Sequence, residues 1–494
     1  MNLKVAREQK VKGHLTIQFL FATMETVKGC LRFAWIITNS SLVILLHLVY
    51  MSIISPLSVF GGVKGRVLYW KFEEMFYGWI LCILDFTISS IGYNIVESGD
   101  GFDDVMGEKI IFMPNHQSVA DVLVCLAAFV SRPGYARTVM WIIARKLKYT
   151  NFGIMSWLHD DFFLDTDKHN NATALMELKD HLRLRFGCRN RRCLVLFPEG
   201  GFLCKKKASS NRFARKNKLP FLQYCAYPRL GALKEILDEL VKNISFNKRM
   251  TSLKQTHYLV KNNENAEEEN PRQLSNTNHL HCNTIGNTPQ ILETSGQKGV
   301  SISVRKDLDK FNNHHIADSF KNKARKRQMV FGTDKMNLHY KRTFKTVIDD
   351  THSNFDGLCF HEPRFRKPLR KIVDVTIAYP NGNPINFLDI MLGRRKGCNI
   401  HVHYRVFDVS QVPIQDSTML RDWMYKLYNE KDVLLASFYR EGRFPETQSN
   451  KNQASTERRI QHTQWKYYLY NIFYFLSLCI FWNFGKFVYT SVFY

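Results

Sequence analysis

Residues 112–124 read FMPNHQSVADVLV, a strand-like run that breaks at Pro114, presents Asn115 and His116, and resumes as an apolar helix-like run carrying Asp121. On a regular helix an i,i+5 pair points to different faces, so His116 and Asp121 meet only if the histidine lies in the turn before the helix begins. The break at Pro114 and Asn115 supplies that turn. There the carboxylate accepts a hydrogen bond from one imidazole nitrogen, fixes the tautomer and stabilises the imidazolium, leaving the other nitrogen as a general base. A plainer reading fits the same residues: Ser118 and Asp121 form an S-x-x-D capping box and His116 faces solvent. Taken alone, the residues support both equally.

The second constellation is LVLFPEGG (194–201), a buried strand running into Phe197, Pro198, Glu199, Gly200 and Gly201. Glycines after a strand let backbone approach a ligand closely, and Glu199 placed there can accept hydrogen bonds from a polyol or order a catalytic loop. By itself the stretch also reads as an ordinary strand-to-loop turn with a solvated glutamate. Lys205, Lys206, Lys207, Arg212, Arg215 and Lys216 follow. They suit phosphate groups or a membrane surface, against a default of an exposed solubilising face.

These residues need a scaffold, and between about 105 and 240 short apolar runs alternate with helix-like stretches. KIIFMP (109–114), TVMWIIA (138–144), FFL (162–164), CLVLFPEG (193–200) and LQYCAYPR (222–229) read as strands. VADVLVCLAAFVS (119–131), NATALMELKDHLRLRF (171–186) and GALKEILDELVKN (231–243) read as helices. The alternation predicts an α/β layer fold. From 244 to 366 apolar periodicity stops and charge comes in blocks such as ENAEEEN (264–270) and KNKARKRQ (321–328), which predicts a disordered insertion dispensable for chemistry. Strand signals return with IVDVTIAYP (372–380) and NIHVHYRVF (399–407), followed by an amphipathic helix over 418–439. One interrupted core explains this pattern better than two domains.

Residues 34–60 have no charge apart from His47 and are long enough to cross a hydrocarbon layer of about 30 Å, which predicts an uncleaved membrane anchor. The apolar stretch 75–96 contains Asp85 and fits re-entry, an interfacial position or core packing. The aromatic-rich C-terminus from 465, with Lys466 and Lys486, suits a membrane segment with interfacial anchors. A net charge of +25 over 494 residues favours anionic partners. The basic run KNKARKRQ comes without any nucleic-acid-binding motif, so a lipid-contacting or solvated loop is expected and no nucleic acid. Eleven scattered cysteines with no C-x-x-C predict neither a disulfide framework nor a zinc site. HLHC (279–282) lacks a second ligand pair, so no metal is expected.

Taken together, Asn115, His116 and Asp121 in N-H-x-x-x-x-D, Phe197, Pro198, Glu199 and Gly200 in F-P-E-G, and flanking membrane segments resemble the glycerophospholipid acyltransferase family. Pro228 in YPRLGA matches that family's fourth motif. VLFPEGGFL, NKLPFL, PRLGA, DVTIAYP and HVHYRVF are similar to the animal acyl-CoA:lysophosphatidylglycerol acyltransferases over most of the chain outside the insertion.

The resemblance implies a central mixed sheet flanked by helices. It divides the chain into an N-terminal segment (1–33), an anchor (34–60), a membrane-associated helical region (61–104), an acyltransferase domain in two parts (105–243 and 367–445) around the insertion (244–366), and a C-terminal membrane segment (466–490). It implies a multi-pass enzyme of the endoplasmic reticulum membrane. That enzyme moves an acyl group from acyl-CoA, a co-substrate and not a cofactor, to a lysophospholipid hydroxyl, with lysophosphatidylglycerol the expected acceptor. His116 and Asp121 would be catalytic, and Asn115, Phe197, Pro198, Glu199, Gly200, Pro228 and Arg229 would bind substrate. Backbone N–H groups at the histidine turn are expected to stabilise the oxyanion.

One stretch departs from the family pattern. Where an arginine normally follows a phenylalanine to meet the acceptor phosphate, HDDFFLDTDK (159–168) offers Asp165 and Asp167 and no basic residue before Lys168. Either Lys168 or a residue elsewhere, such as Arg229, takes the phosphate, or headgroup recognition has changed. The rival readings are the same chemistry on lysophosphatidylethanolamine, lysophosphatidylinositol or monoacylglycerol, and a catalytically inactive membrane scaffold.

Overall fold

The computed structural model describes residues 2–165, 171–187, 189, 191–243, 368–445, 457–462 and 464–493. Lys168, the HLHC stretch and the expected insertion 244–366 lie outside them. The chain opens with α1 (Asn2–Phe60) and α2 (Gly62–Ser89), joined at a tight corner where Gly62 has φ +57°. A Cβ on Gly61 would stand 2.5 Å from the Leu57 carbonyl oxygen, so only glycine fits there. Next come β1 (Asn94–Gly99), β2 (Lys109–Pro114), α3 (Ala120–Val130), β3 (Val139–Ala144), α4 (Asn151–Leu158), β4 (Phe162–Leu164), α5 (Asn171–His181), β5 (Cys193–Val195), α6 (Leu203–Lys216) and α7 (Gly231–Leu237). Beyond residue 368 follow β6 (Leu369–Ala378), α8 (Phe387–Leu392), β7 (Asn399–Asp408), α9 (Ser417–Glu441), β8 (Arg458–Arg459) and α10 (Gln464–Phe493).

The strands form one mixed sheet in the order β4-β3-β5-β2-β6-β7-β1-β8. The pairs β4/β3, β3/β5, β5/β2, β2/β6 and β7/β1 are parallel, whereas β6/β7 and β1/β8 are antiparallel. A strand buried on both faces reads as a continuous apolar run, and β2 is the clearest case. Its Ile110 and Phe112 pack with α1, α2 and α3 on one side, and its Ile111 and Met113 with α5, α7 and α9 on the other. The central mixed sheet flanked by helices is thus the observed architecture. β6 lies beside β2 although some 250 residues separate them, so both parts of the chain share one sheet.

Three sequence expectations change. LQYCAYPR (222–229) is not a strand. Its backbone N–H groups find side-chain acceptors instead: the Asp432 carboxylate takes those of Gln223, Tyr224 and Cys225, Glu199 takes that of Ala226, and Ser210 Oγ takes that of Tyr227. Strand β5 stops at Val195, before FPEG. The segment 75–96 divides between α2 and the start of β1, and Phe76, Tyr77, Ile80, Leu81, Ile83 and Ile88 join the core, which selects core packing among the three readings. Asp85 is satisfied there by His462 Nδ1 at 3.0 Å.

Two described helices are long and apolar enough to cross a membrane: Thr23–Phe60 of α1 and Gln464–Ser491 of α10. Along α10, Trp482, Phe484 and Phe487 are each more than 60% exposed, so the protein itself does not cover that apolar surface. Trp35 Nε1 donates to Tyr467 Oη at 2.9 Å, and Tyr467 stacks on Phe86 of α2, binding α10 to the first two helices.

Candidate active site

β2 ends at Pro114, which cannot donate to the ladder. Asn115 continues the ladder with its side chain: Nδ2 donates to the Ile377 carbonyl at 3.0 Å and Oδ1 accepts the Ile377 N–H at 2.7 Å. Both halves of this fully buried amide therefore engage β6. Its effect is to end the strand at a fixed point, from which the chain turns into α3.

Within that turn His116 Nδ1 lies 3.1 Å from Asp121 Oδ2. The same oxygen accepts the Ser118 N–H at 2.8 Å, and Ser118 Oγ accepts the Ala120 N–H at 3.0 Å. The carboxylate thus takes both the imidazole and the Ser118 N–H, but the reciprocal half of the S-x-x-D capping box is not formed, since the Asp121 N–H goes to the Ser118 backbone carbonyl at 3.4 Å. Asp121 is fully buried, and the His116 side chain is only 12% exposed, between the rings of Phe197 and Phe202 at centroid distances of 4.1 and 4.5 Å. A histidine so enclosed is not a solvated cap residue.

Glu199 joins the two loops that meet here. Its Oε1 accepts the His116 N–H at 2.8 Å and its Oε2 the Ala226 N–H at 2.9 Å, so of its two expected roles the geometry matches loop ordering. Burial raises its pKa to about 8, with the two N–H groups pulling the other way. The N–H groups of His116, Ser118 and Ala120 are all engaged, so these three are not free to meet an oxyanion.

Pro198 accepts the Arg229 N–H at 2.8 Å, which sets the Pro228–Arg229 loop against the Gly-Gly turn. Gly200 has φ +69°, and a Cβ there would lie 3.3 Å from Arg229 Cδ; one on Gly201 would lie 2.7 Å from Lys206 Cε. The two basic side chains thus cross the glycine turn. They border a cavity of about 360 Å³ lined also by Glu199, Tyr227, Pro228 and Tyr425. Burial, with Arg229 adding repulsion, lowers the Lys206 pKa. Among the described residues neither cation has a carboxylate partner. Lys207, by contrast, is tied to the Leu222 and Gln223 carbonyls.

The departing stretch 159–165 lies in a separate polar cluster. His159 is fully buried, donates through Nδ1 to Glu73 at 2.8 Å and stacks on Tyr77, while Arg191 meets its other nitrogen. Asp161 accepts the Trp141 N–H at 2.9 Å, and Asp165 meets Arg145 at 3.5 Å. These acids hold the scaffold. Sequence reasoning missed Tyr379, which reaches Asp121 from the end of β6, and Phe202, which flanks the histidine. Tyr379 lies 258 positions from Asp121, beyond the reach of any local pattern. Lys206 was noticed only as one of a basic run.

A family model described as Acyltransferase matches residues 95–225, and one described as Acyltransferase C-terminus matches residues 390–470. The first covers β2 to β5, the histidine turn and the FPEGG turn, and the second covers β7 and α9, with β6 between the two. These matches support the resemblance of the chain to the glycerophospholipid acyltransferase family. It is 28% identical over 467 residues to the human protein named acyl-CoA:lysophosphatidylglycerol acyltransferase 1, covering 94% of this chain and 96% of that one. The mouse protein of the same name is 27% identical with the same coverage. A yeast protein named 2-acyl-1-lysophosphatidylinositol acyltransferase is 27% identical over 134 residues, 25% of this chain and 33% of its own length. No solved structure matches the chain.

Proposed function

We propose that this protein transfers a fatty acyl group from acyl-CoA to the free hydroxyl of a lysophospholipid, with lysophosphatidylglycerol as acceptor, at the endoplasmic reticulum membrane. The observation that carries the reading is a His–Asp pair in a buried turn, tied through Glu199 to a cavity that Lys206 and Arg229 line. The long match to relatives named for lysophosphatidylglycerol supports the choice of acceptor.

In this reading Asp121 holds the His116 Nδ1 proton, which leaves Nε2 unprotonated. Nε2 takes the hydroxyl proton as the acceptor oxygen forms its bond to the thioester carbon. Collapse of the tetrahedral intermediate breaks the C–S bond, and the imidazolium returns its proton to the departing sulfur, so coenzyme A leaves as the thiol. No covalent acyl-enzyme is required. Arg229 and Lys206 take the acceptor's phosphate, with Lys168 as a further candidate outside the described residues. Both substrates carry long acyl chains, and α1 and α10 as a multi-pass anchor would keep the site at the lipid surface.

The test is transfer of a labelled acyl group from acyl-CoA to a panel of lysophospholipids and monoacylglycerol, in membranes carrying wild type or His116→Ala. The expected result is transfer to lysophosphatidylglycerol that His116→Ala reduces at least about a thousandfold. Retained activity in that variant removes the histidine base. Transfer to no acceptor at all favours the inactive scaffold.

A further inference from the structure

Asp121 is a buried carboxylate, and such a group keeps its charge and its orientation only through the donors around it. Its Oδ2 receives His116 Nδ1 and the Ser118 N–H. Its Oδ1 receives one side chain, Tyr379, whose Oη stands 2.5 Å away. Tyr379 is itself fully buried, directly after β6, and Ser118 Oγ lies 3.4 Å from the same phenol. Burial and the Asp121 charge both push the phenol well above its usual pKa, so it remains protonated and is the donor.

We propose that Tyr379 is a positioning residue for the proposed base, fixing the Asp121 carboxylate so that it presents one oxygen to His116. Without the phenol, Oδ1 would be an unsatisfied oxygen in a dry site, and the carboxylate would gain by rotating toward other donors. The imidazole would then lose its fixed tautomer. In molecules whose carboxylate stays on His116, losing a donor concentrates more charge on Oδ2, which holds the imidazolium proton more tightly. The other titratable groups near Asp121 are Cys125 on α3, Glu199, Lys431 on α9 and Tyr439 on α9. None of these gives Oδ1 a hydrogen bond among the described contacts. Tyr439 is engaged with Gln117, and Lys431 with the Met113 and Val375 carbonyls.

The inference rests on the histidine-base reading, and its test separates the two. Tyr379→Phe, His116→Ala, Asp121→Asn and the Asp121→Asn/Tyr379→Phe double variant are assayed for acyl transfer in membranes, against pH and acceptor concentration. For Tyr379→Phe the expected result is a roughly tenfold fall in kcat with KM unchanged, and an acid limb of the kcat/KM profile moved up by about half a pH unit. In the Asp121→Asn background the same change should cost nothing further. Wild-type kcat and pH profile in Tyr379→Phe, with His116→Ala inactive, overturn the role of Tyr379 alone. A fall with an unmoved profile and additive losses in the double variant marks a merely structural tyrosine and also overturns it. An active His116→Ala overturns the base reading together with the inference.

Discussion

Lys206 and Arg229 confront one another over two glycines, an arrangement that costs electrostatic repulsion unless an anion completes it. This gives the acceptor reading a charge-specific test. Arg229→Ala and Lys206→Ala should each raise KM for a lysophospholipid about tenfold while changing kcat little, because a phosphate held equally in ground and transition states affects binding only. Monoacylglycerol, which has no phosphate, should be used equally well by wild type and variants. Steady-state kinetics with both acceptors check this, and an equal loss with both would remove the cation pair from headgroup recognition. Glu199 works differently: with an oxygen on each of two backbone N–H groups it shapes the turn that carries the histidine.

At the scale of elements, α2 is fastened to the sheet by charge. Burial alone would raise the Glu73 pKa, but the Arg189 guanidinium and the His159 hydrogen bond outweigh it and hold the carboxylate well below its ordinary range. Burial with Arg191 nearby lowers His159 to about 3, so the imidazole is neutral and its Nδ1–H donates to Glu73. A carboxyl depressed in the folded state contributes stability above its unfolded pKa of about 4.5 and loses it as pH falls below that value, because the unfolded chain then binds more protons. Glu73→Gln should therefore cost about 3 kcal/mol at pH 7, leaving Arg189 with Asp160 as its remaining carboxylate, and flatten the decline in Tm between pH 5 and 3. Thermal unfolding in detergent across that range tests it; a variant as acid-sensitive as wild type would show that the pair is not the cause. Elements of this kind were legible where burial dictates composition: KIIFMP and NIHVHYRVF were readable as β2 and β7, and the 3.6-residue period of α9 stood out. LQYCAYPR misled because its apolar residues are buried as a strand's would be, while Asp432, Glu199 and Ser210 replace the neighbouring strand. The His–Asp pair was legible because it lies within six residues, and Tyr379 was not because its position depends on the sheet order.

For the whole molecule, β6 between β2 and β7 means that the chain before residue 244 and the chain after residue 367 build a single sheet. The turn that carries His116 draws on Glu199 from the first part and on Ile377 and Tyr379 from the second. The contacts just named all come from outside residues 250–360. Deleting those residues should leave acyl transfer within about tenfold of wild type in the membrane assay. Complete loss from a normally folded variant would show that the segment is part of the enzyme.

The sheet order also sets a sequence of events during synthesis. The ribosome produces β2, β3, β4 and β5 early, and these can pair at once as one half of the sheet. The free edge of β2 and the whole of β1 wait for β6 and β7, more than two hundred residues later. Through that interval the nascent chain carries an unpaired strand edge next to its histidine, which is a demand on chaperones or on the membrane insertion machinery. Until residue 379 has emerged and docked, Asp121 Oδ1 has no phenol to hold it, so the hydrogen bonding of the histidine turn is completed last.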